Sequence, residues 1–190
     1  MNQWEIYDLF EREKAIEKGH FLLSSGLHSD TYVQCTRVLQ HPHLSESLAD
    51  ELASGFDGNE VDVVISPALG GIIIGYMVAL ALGKRMIFAE REQGKLALRR
   101  GQGLRKKERA LMVEDVITTG GSVKEIMDLV KALEGRTAGL GALIEREKDM
   151  DFGVPKKVLL RVEAAAWDKS DCPLCRKGVK LVVPGSRRLI

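Results

Sequence analysis

Residues 110–123 read ALMVEDVITTGGSV: an apolar run, two acids, a turn rich in hydroxyls and glycines, and the start of a second apolar pattern. The continuous apolar run at 110–113 predicts a buried strand, and apolar residues at helical spacing over 123–133 predict a helix. A short turn joins the two. The segment therefore predicts a strand–turn–helix unit of the kind from which α/β folds are built.

The turn suits an anionic ligand. It places free backbone N–H groups at a helix N-terminus, where they attract negative charge. Gly120 and Gly121 let the backbone approach a ligand closely, and Thr118, Thr119 and Ser122 add hydroxyl donors. The simpler alternative is that these residues only cap the helix, but a cap needs a single Ser or Thr.

Two adjacent carboxylates precede the turn. Glu114 and Asp115 would repel a phosphate, so they suit hydroxyl groups or a metal ion beside it. A phosphorylated ribose meets both demands. Residues 114–122 resemble the 5-phosphoribosyl diphosphate (PRPP) signature of type I phosphoribosyltransferases. A dinucleotide site or a P-loop fits less well, because the segment has neither Gly-x-Gly-x-x-Gly nor Gly-Lys-Ser/Thr.

The resemblance implies a role for each residue of this segment. It assigns the binding of PRPP to Glu114, Asp115, Val116, Ile117, Thr118, Thr119, Gly120, Gly121 and Ser122. The acids would hold the ribose hydroxyls, and Asp115 would take part in catalysis. They would also help to place the Mg²⁺ cofactor, which PRPP itself would mainly carry, so no direct protein ligand of the metal is assigned.

The rest of the chain alternates predicted strands with predicted helices. Strands are predicted at 61–65, 85–89, 111–113, 137–144 and 157–162, and helices at 4–18, 44–56, 71–82 and 123–133. This alternation predicts a central parallel sheet flanked by helices. With the resemblance it implies a single phosphoribosyltransferase domain over 1–190. Its core would span about 40–150, and a small hood would come from about 1–38 and 150–190.

A second glycine-rich loop follows the predicted strand at 61–65. It reads Ser66-Pro-Ala-Leu-Gly-Gly71 and opens the next helix. In an open α/β sheet, ligands collect at the carboxyl ends of the strands, so this loop and the turn at 118–122 would face one crevice. The resemblance assigns the diphosphate of PRPP to Ala68, Leu69, Gly70 and Gly71. The alternative is a turn that serves only tight packing.

Residues 90–109 are unusually basic. They hold eight Lys and Arg residues against three Glu, with glycines at 94, 101 and 103. This composition suggests a mobile loop that closes over an anionic ligand, although a solvated surface loop is the ordinary alternative. The resemblance points to Arg91 and Lys95 as catalytic and PRPP-binding residues of a loop that commonly reaches the neighbouring subunit's site. Glu92 stands where relatives often carry a lysine.

The base that accepts the ribose is indicated by Arg146. This arginine ends an apolar segment at 139–149, where its guanidinium could offer a bidentate fork to a planar carboxylate. The segment resembles the orotate-binding strand of orotate phosphoribosyltransferases, and residues 20–32 resemble their N-terminal hairpin. Arg146 and Thr118 are therefore expected to contact orotate, giving orotidine 5′-monophosphate for UMP biosynthesis. A purine phosphoribosyltransferase and a PRPP-sensing regulator are the alternatives.

Composition limits the other classes of function. The net charge of +1 and the few aromatic residues argue against a general nucleic-acid binder. The longest apolar stretch, at 70–82, is too short to span a membrane, and 1–13 is unlike a signal peptide. A cytoplasmic protein is expected, and the resemblance implies a homodimer.

The three cysteines do not suggest a disulfide framework. Cys172-Pro-Leu-Cys175 supplies only two of the four ligands that a structural zinc ion requires. Cys35 and one of the histidines at 20, 28, 41 and 43 could complete such a site. Two reduced thiols in a turn are the favoured interpretation from sequence.

Overall fold

The computed structural model describes residues 1–23, 25–146 and 150–184. Ser24 of the N-terminal turn and residues 147–149 of the predicted orotate segment lie outside the described residues. The helices are α1 (Gln3–Arg12), α2 (Thr36–Leu39), α3 (Pro42–Ala53), α4 (Gly70–Leu82), α5 (Gly121–Ala132) and α6 (Pro173–Arg176). The strands are β1 (Ile16–Leu22), β2 (His28–Val33), β3 (Val63–Pro67), β4 (Arg85–Glu92), β5 (Lys95–Leu98), β6 (Arg109–Ile117), β7 (Arg136–Glu145), β8 (Lys156–Arg161) and β9 (Ala166–Trp167).

Six strands form the central sheet, in the order β5-β4-β3-β6-β7-β8. All neighbouring pairs are parallel except β4 and β5, which are antiparallel. Every residue of β3 is buried, because helices cover both faces of the sheet at its centre. The predicted fold class, a central parallel sheet flanked by helices, is confirmed.

Two apolar clusters hold the helices against the two faces of the sheet. On one face, Leu48 and Leu52 of α3 and Ile74 and Val78 of α4 pack in one buried cluster. On the other face, Ile126 of α5 lies in the second cluster. Each of these five side chains is fully buried, and full burial of such a side chain contributes about 1.5–3 kcal/mol.

A second, three-stranded sheet in the order β1-β2-β9 stands beside the central sheet. It joins the N-terminal hairpin to the C-terminal strand β9. The predicted helix at 4–18 is wrong at its end. Asn2 and Glu5 form a capping box that begins α1, but the helix ends at Arg12 and the chain reverses at Lys14 (φ 54°) into β1.

Strand β8 extends the edge of the central sheet beside β7. Its buried Leu159 and Leu160 share a cluster with Ile6, Leu9 and Phe10 of α1. The N-terminal helix is thereby anchored to the central sheet. Within the described residues, none of the helices has the length and apolar character needed to cross a membrane.

Candidate active site

Residues 118–120 connect β6 to α5 at the carboxyl edge of the sheet. Helix α5 begins after Gly120, which adopts a left-handed conformation (φ 73°), and in this described stretch no side chain caps the helix. The alternative that the Thr and Ser residues serve as helix caps therefore loses its support. The first N–H groups of α5 are left for an external acceptor, which is the arrangement of an anion site.

Gly120 is required by space as well as by conformation. A Cβ atom built on it would lie 2.9 Å from Cζ of Phe152 and 3.3 Å from the sulfur of Met150. The segment after β7 therefore packs directly against the turn. Sequence reasoning did not single out Phe152 or Met150, because nothing local in their sequence indicates that they contact a turn thirty residues away.

The two acids lie within β6 rather than beyond the strand, since β6 extends to Ile117. Glu114 is 7% exposed, and one of its carboxylate oxygens accepts a hydrogen bond of 3.1 Å from the backbone N–H of Asp115. Burial, together with a hydrogen bond and negative charge from the Asp115 side chain, raises the pKa of Glu114 well above its usual value. Two such close carboxylates favour hydroxyl donors or a cation between them.

Most of the PRPP-binding residues predicted from sequence line one cavity of about 170 Å³. Its described lining consists of Arg91, Glu114, Val116, Ile117, Thr118, Thr119, Gly120, Gly121, Ser122, Val123 and Glu125. The geometry thus brings together the turn, one of the two predicted acids and one predicted basic residue. Asp115, Lys95 and Arg146 lie outside this lining.

The second glycine-rich loop lies against β6 at Asp115. Strand β3 ends at Pro67, the Ala68–Leu69 peptide bond is cis, and α4 begins at Gly70. An ideal Cβ on Gly70 would lie 2.5 Å from a carboxylate oxygen of Asp115. This contact places the second loop beside the end of β6, from which the turn at 118–120 continues.

The start of the basic segment is a β-hairpin rather than an irregular loop. Strands β4 and β5 pair with Glu92 opposite Lys95, and the turn residues Gln93 and Gly94 both have positive φ. Arg91 on β4 forms two hydrogen bonds of 2.9 Å with the carboxylate of Glu125 on α5. These bonds lower the pKa of Glu125 and hold the guanidinium at the rim of the cavity.

Arg146 follows β7 directly, next to the end of β6. Its backbone N–H donates to the carbonyl of Ile117 over 2.9 Å, and its guanidinium Nη2 lies 3.3 Å from Oγ of Ser29 on β2. The arginine therefore lies between the PRPP-type turn and the N-terminal hairpin. Ser29 is fully buried and is a contact that sequence reasoning missed.

Two further buried groups surround the site. Glu145, fully buried next to Arg146, accepts a hydrogen bond of 2.7 Å from Lys156 and one of 3.3 Å from Arg161. Cys35 lies with its sulfur 3.8 Å from the carbonyl oxygen of Asp115. Burial, with the charges of both acids, raises the pKa of Cys35 well above its usual value, so its thiol remains neutral.

Comparison with known proteins decides the family. Residues 35–167 match the phosphoribosyl transferase domain. The chain is 50% identical over 190 residues to the orotate phosphoribosyltransferase of Caldanaerobacter subterraneus, and it is also 50% identical to that of Pelotomaculum thermopropionicum. Both alignments cover all of this chain and all of the relative. The chain belongs to the orotate phosphoribosyltransferase family.

Solved structures share this fold. Orotate phosphoribosyltransferase from Aeropyrum pernix has a TM-score of 0.70 at 23% identity, covering 83% of this chain and 94% of that one. An adenine phosphoribosyltransferase from Rhodothermus marinus has a TM-score of 0.65 at 25% identity, covering 82% and 99%. The fold is thus shared with enzymes for another base, and the base must be argued from the site.

Proposed function

We propose that this chain transfers the 5-phosphoribosyl group of PRPP to orotate, giving orotidine 5′-monophosphate and diphosphate for UMP biosynthesis. The position of Arg146 carries this proposal. Its backbone is hydrogen-bonded to Ile117 at the PRPP-type turn, and its guanidinium reaches Ser29 on the opposite side. A base held by this arginine would lie next to the ribose, with Thr118 beside it.

The turn and the acids would bind the ribose phosphate. The backbone N–H groups of 119–122 would hold the 5′-phosphate at the uncapped end of α5. Glu114 and Asp115 would accept hydrogen bonds from the ribose hydroxyls. Hydroxyl donors would offset the burial and the neighbouring Asp115 charge that together raise the pKa of Glu114, so the site favours a ligand with a diol next to a phosphate.

The donor set fits a magnesium ion. The carboxylates of Glu114 and Asp115 would supply the hard oxygen ligands that Mg²⁺ prefers, and Gly70 of the second loop lies directly against the carboxylate of Asp115. When bound with PRPP, Mg²⁺ would stabilise negative charge on the departing diphosphate. The close approach of Asp115 to Gly70 supports a role for this carboxylate beside the proposed diphosphate loop.

The reaction requires positioning and charge stabilisation rather than a covalent nucleophile. As the bond from ribose C1 to diphosphate breaks, positive charge develops on the sugar and negative charge on the leaving group. Arg91 and Lys95 would neutralise the diphosphate once the β4–β5 hairpin closes. Closure would also exclude water, which otherwise hydrolyses the reactive ribosyl species. Arg91 would have to exchange its pairing with Glu125 for the phosphates.

A homodimer is supported by helix α4. Four large apolar side chains on and just before this helix are strongly exposed: Leu69 at 83%, Ile73 at 41%, Tyr76 at 63% and Leu80 at 64%. Their spacing places Ile73, Tyr76 and Leu80 on one helical face, and such a contiguous apolar face marks an interface. Tyr76→Glu should convert a dimer into a monomer in light scattering, whereas an unchanged mass would place the interface elsewhere.

Product formation tests the proposed function. At near-neutral pH, the purified protein should convert PRPP and orotate to orotidine 5′-monophosphate. This conversion should require Mg²⁺. Adenine, hypoxanthine and xanthine should give no nucleotide under the same conditions. Turnover of a purine instead of orotate would contradict the proposal and would identify the protein as a purine phosphoribosyltransferase. Binding of PRPP without any turnover would favour a sensor.

A further inference from the structure

Four potential metal ligands converge away from the PRPP cavity. His20 on β1, His28 on β2 and the pair Cys172 and Cys175 at α6 present their ligand atoms within 4.8 Å of one another. The first three are buried, and Cys175 is the most exposed of the four. We propose that these residues bind a structural zinc ion that fastens the C-terminal segment to the N-terminal hairpin.

The separations fit a tetrahedral ion. Zn–N bonds of about 2.0–2.1 Å and Zn–S bonds of about 2.3 Å give edges of roughly 3.3 Å between nitrogens and 3.5 Å between nitrogen and sulfur. Nε2 of His20 lies 3.4 Å from Sγ of Cys172 and 3.7 Å from Sγ of Cys175. Nδ1 of His28 lies 3.3 Å from Sγ of Cys175. The nitrogen pair, at 2.8 Å, would have to open by about half an ångström.

A backbone carbonyl fixes the ring of His20 in the form that a metal ligand requires. Nδ1 of His20 lies 2.8 Å from the carbonyl oxygen of Val179, which can only accept, so Nδ1 carries the proton. In the neutral ring the lone pair then belongs to Nε2, the atom that faces the other three ligands. Metal-bound histidines characteristically donate their second ring nitrogen to such a carbonyl.

The ligand types select the metal. Two thiolates and two imidazoles in tetrahedral arrangement favour zinc, whereas Mg²⁺ prefers oxygen ligands. Two thiolates would also cancel the charge of Zn²⁺ inside a buried site. Free thiols alone would not explain why two histidines from separate strands are buried against them, 2% and 3% exposed. The histidines also distinguish the cluster from a simple dithiol pair.

The zinc site would hold the C-terminal segment against the N-terminal hairpin. Between residues 168 and 184, Cys172 is the one fully buried residue that the structure describes. The segment otherwise touches the hairpin through short backbone pairings, such as Val182 with His20 and Leu22. A zinc ion bound by β1, β2 and α6 would join three chain segments that lie up to 155 residues apart. It would also stiffen β2 one residue before Ser29.

Metal analysis tests the proposal on the full chain. Protein purified without a chelator should contain about one zinc ion per chain, measured by inductively coupled plasma mass spectrometry. After removal of zinc, added Co²⁺ should give the thiolate charge-transfer band and the intense visible bands of a tetrahedral cobalt site. The double variant Cys172→Ser with Cys175→Ser should contain at least tenfold less zinc than the wild-type protein and should have a lower Tm.

Matched variants separate this site from adventitious binding. Cys35→Ala removes the remaining cysteine and His43→Gln removes an exposed histidine, and both should keep the zinc and the cobalt spectrum. Wild-type protein without zinc and without a tetrahedral cobalt spectrum would overturn the proposal, as would a double variant that retains its metal. If the double variant does not fold, the wild-type cobalt spectrum decides alone.

Discussion

Replacing Gly120 by alanine tests the turn that is proposed to hold the 5′-phosphate. The residue has φ 73°, a conformation that costs an L-residue roughly 1–2 kcal/mol. For a chain of this length each kcal/mol lowers Tm by about 2–4 °C, so a fall of roughly 2–8 °C is expected from conformation alone. The new Cβ, 2.9 Å from the Phe152 ring, must also displace the ring or the turn.

Displacing the turn should weaken PRPP binding more than it weakens the fold. Loss of one hydrogen bond to a charged phosphate costs about 1.5–3 kcal/mol. Because about 1.4 kcal/mol is a factor of ten in rate, kcat/KM for PRPP should fall roughly 10- to 150-fold. Steady-state kinetics with PRPP varied at saturating orotate measures this value.

Gly83→Ala is the matched control. Gly83 ends α4 with φ 65°, and nothing lies within 4 Å of its ideal Cβ. Gly83→Ala should therefore lower Tm by about as much as Gly120→Ala does, while kcat/KM for PRPP stays unchanged. If Gly120→Ala loses Tm but keeps the wild-type kcat/KM for PRPP, the turn does not bind the phosphate and the reasoning fails.

Three other changes probe separate parts of the site. Arg146→Lys should raise KM for orotate at least tenfold without changing KM for PRPP, because an ammonium group lacks the bidentate fork; equal effects on both substrates in initial-rate kinetics would contradict this role. Lys95→Ala should lower kcat by roughly 10²-fold through loss of a positioned charge, and wild-type turnover would remove Lys95 from the mechanism. The raised pKa of Glu114 means that the folded state holds more protons than the unfolded state between the usual and the raised pKa, so stability falls as pH rises through that window. Glu114→Gln should abolish that fall in Tm measured against pH and raise Tm above the window while lowering activity; an unchanged pH profile would show that Glu114 is not the titrating group.

Local patterns predicted much of the site. The buried run, the acids, the PRPP-type turn and the start of its helix lie within fourteen consecutive residues, so spacing alone places Glu114 near Ser122. The second loop was predicted to share the crevice because parallel strands end at one edge. Asp115 against Gly70 is the contact that agrees with this prediction.

Long-range contacts account for what the sequence did not predict. From sequence, Cys172 and Cys175 were interpreted as reduced thiols, because four histidines were available as further ligands and only the fold brings His20 and His28 to them. Cys35, the cysteine considered as a partner, lies instead beside Asp115.

A misjudged helix end and an unpredicted hairpin have local physical causes. The apolar pattern of α1 continues past its end, because strand β1 places Ile16 in the same cluster as the helix. The basic segment was interpreted as a mobile loop from its charges and glycines, but the positive φ angles of Gln93 and Gly94 form a tight hairpin turn. Composition indicated charge there and did not reveal strand pairing.

The central claim is that paired acids and an adjoining uncapped helix end bind opposite ends of one ribose phosphate. A crystal structure with ribose 5-phosphate tests it most directly. The account predicts the phosphate against the backbone N–H groups of 119–122 and the ring hydroxyls within hydrogen-bond distance of Glu114 and Asp115. Ribose 5-phosphate bound elsewhere, or bound with its hydroxyls turned away from both acids, would contradict it.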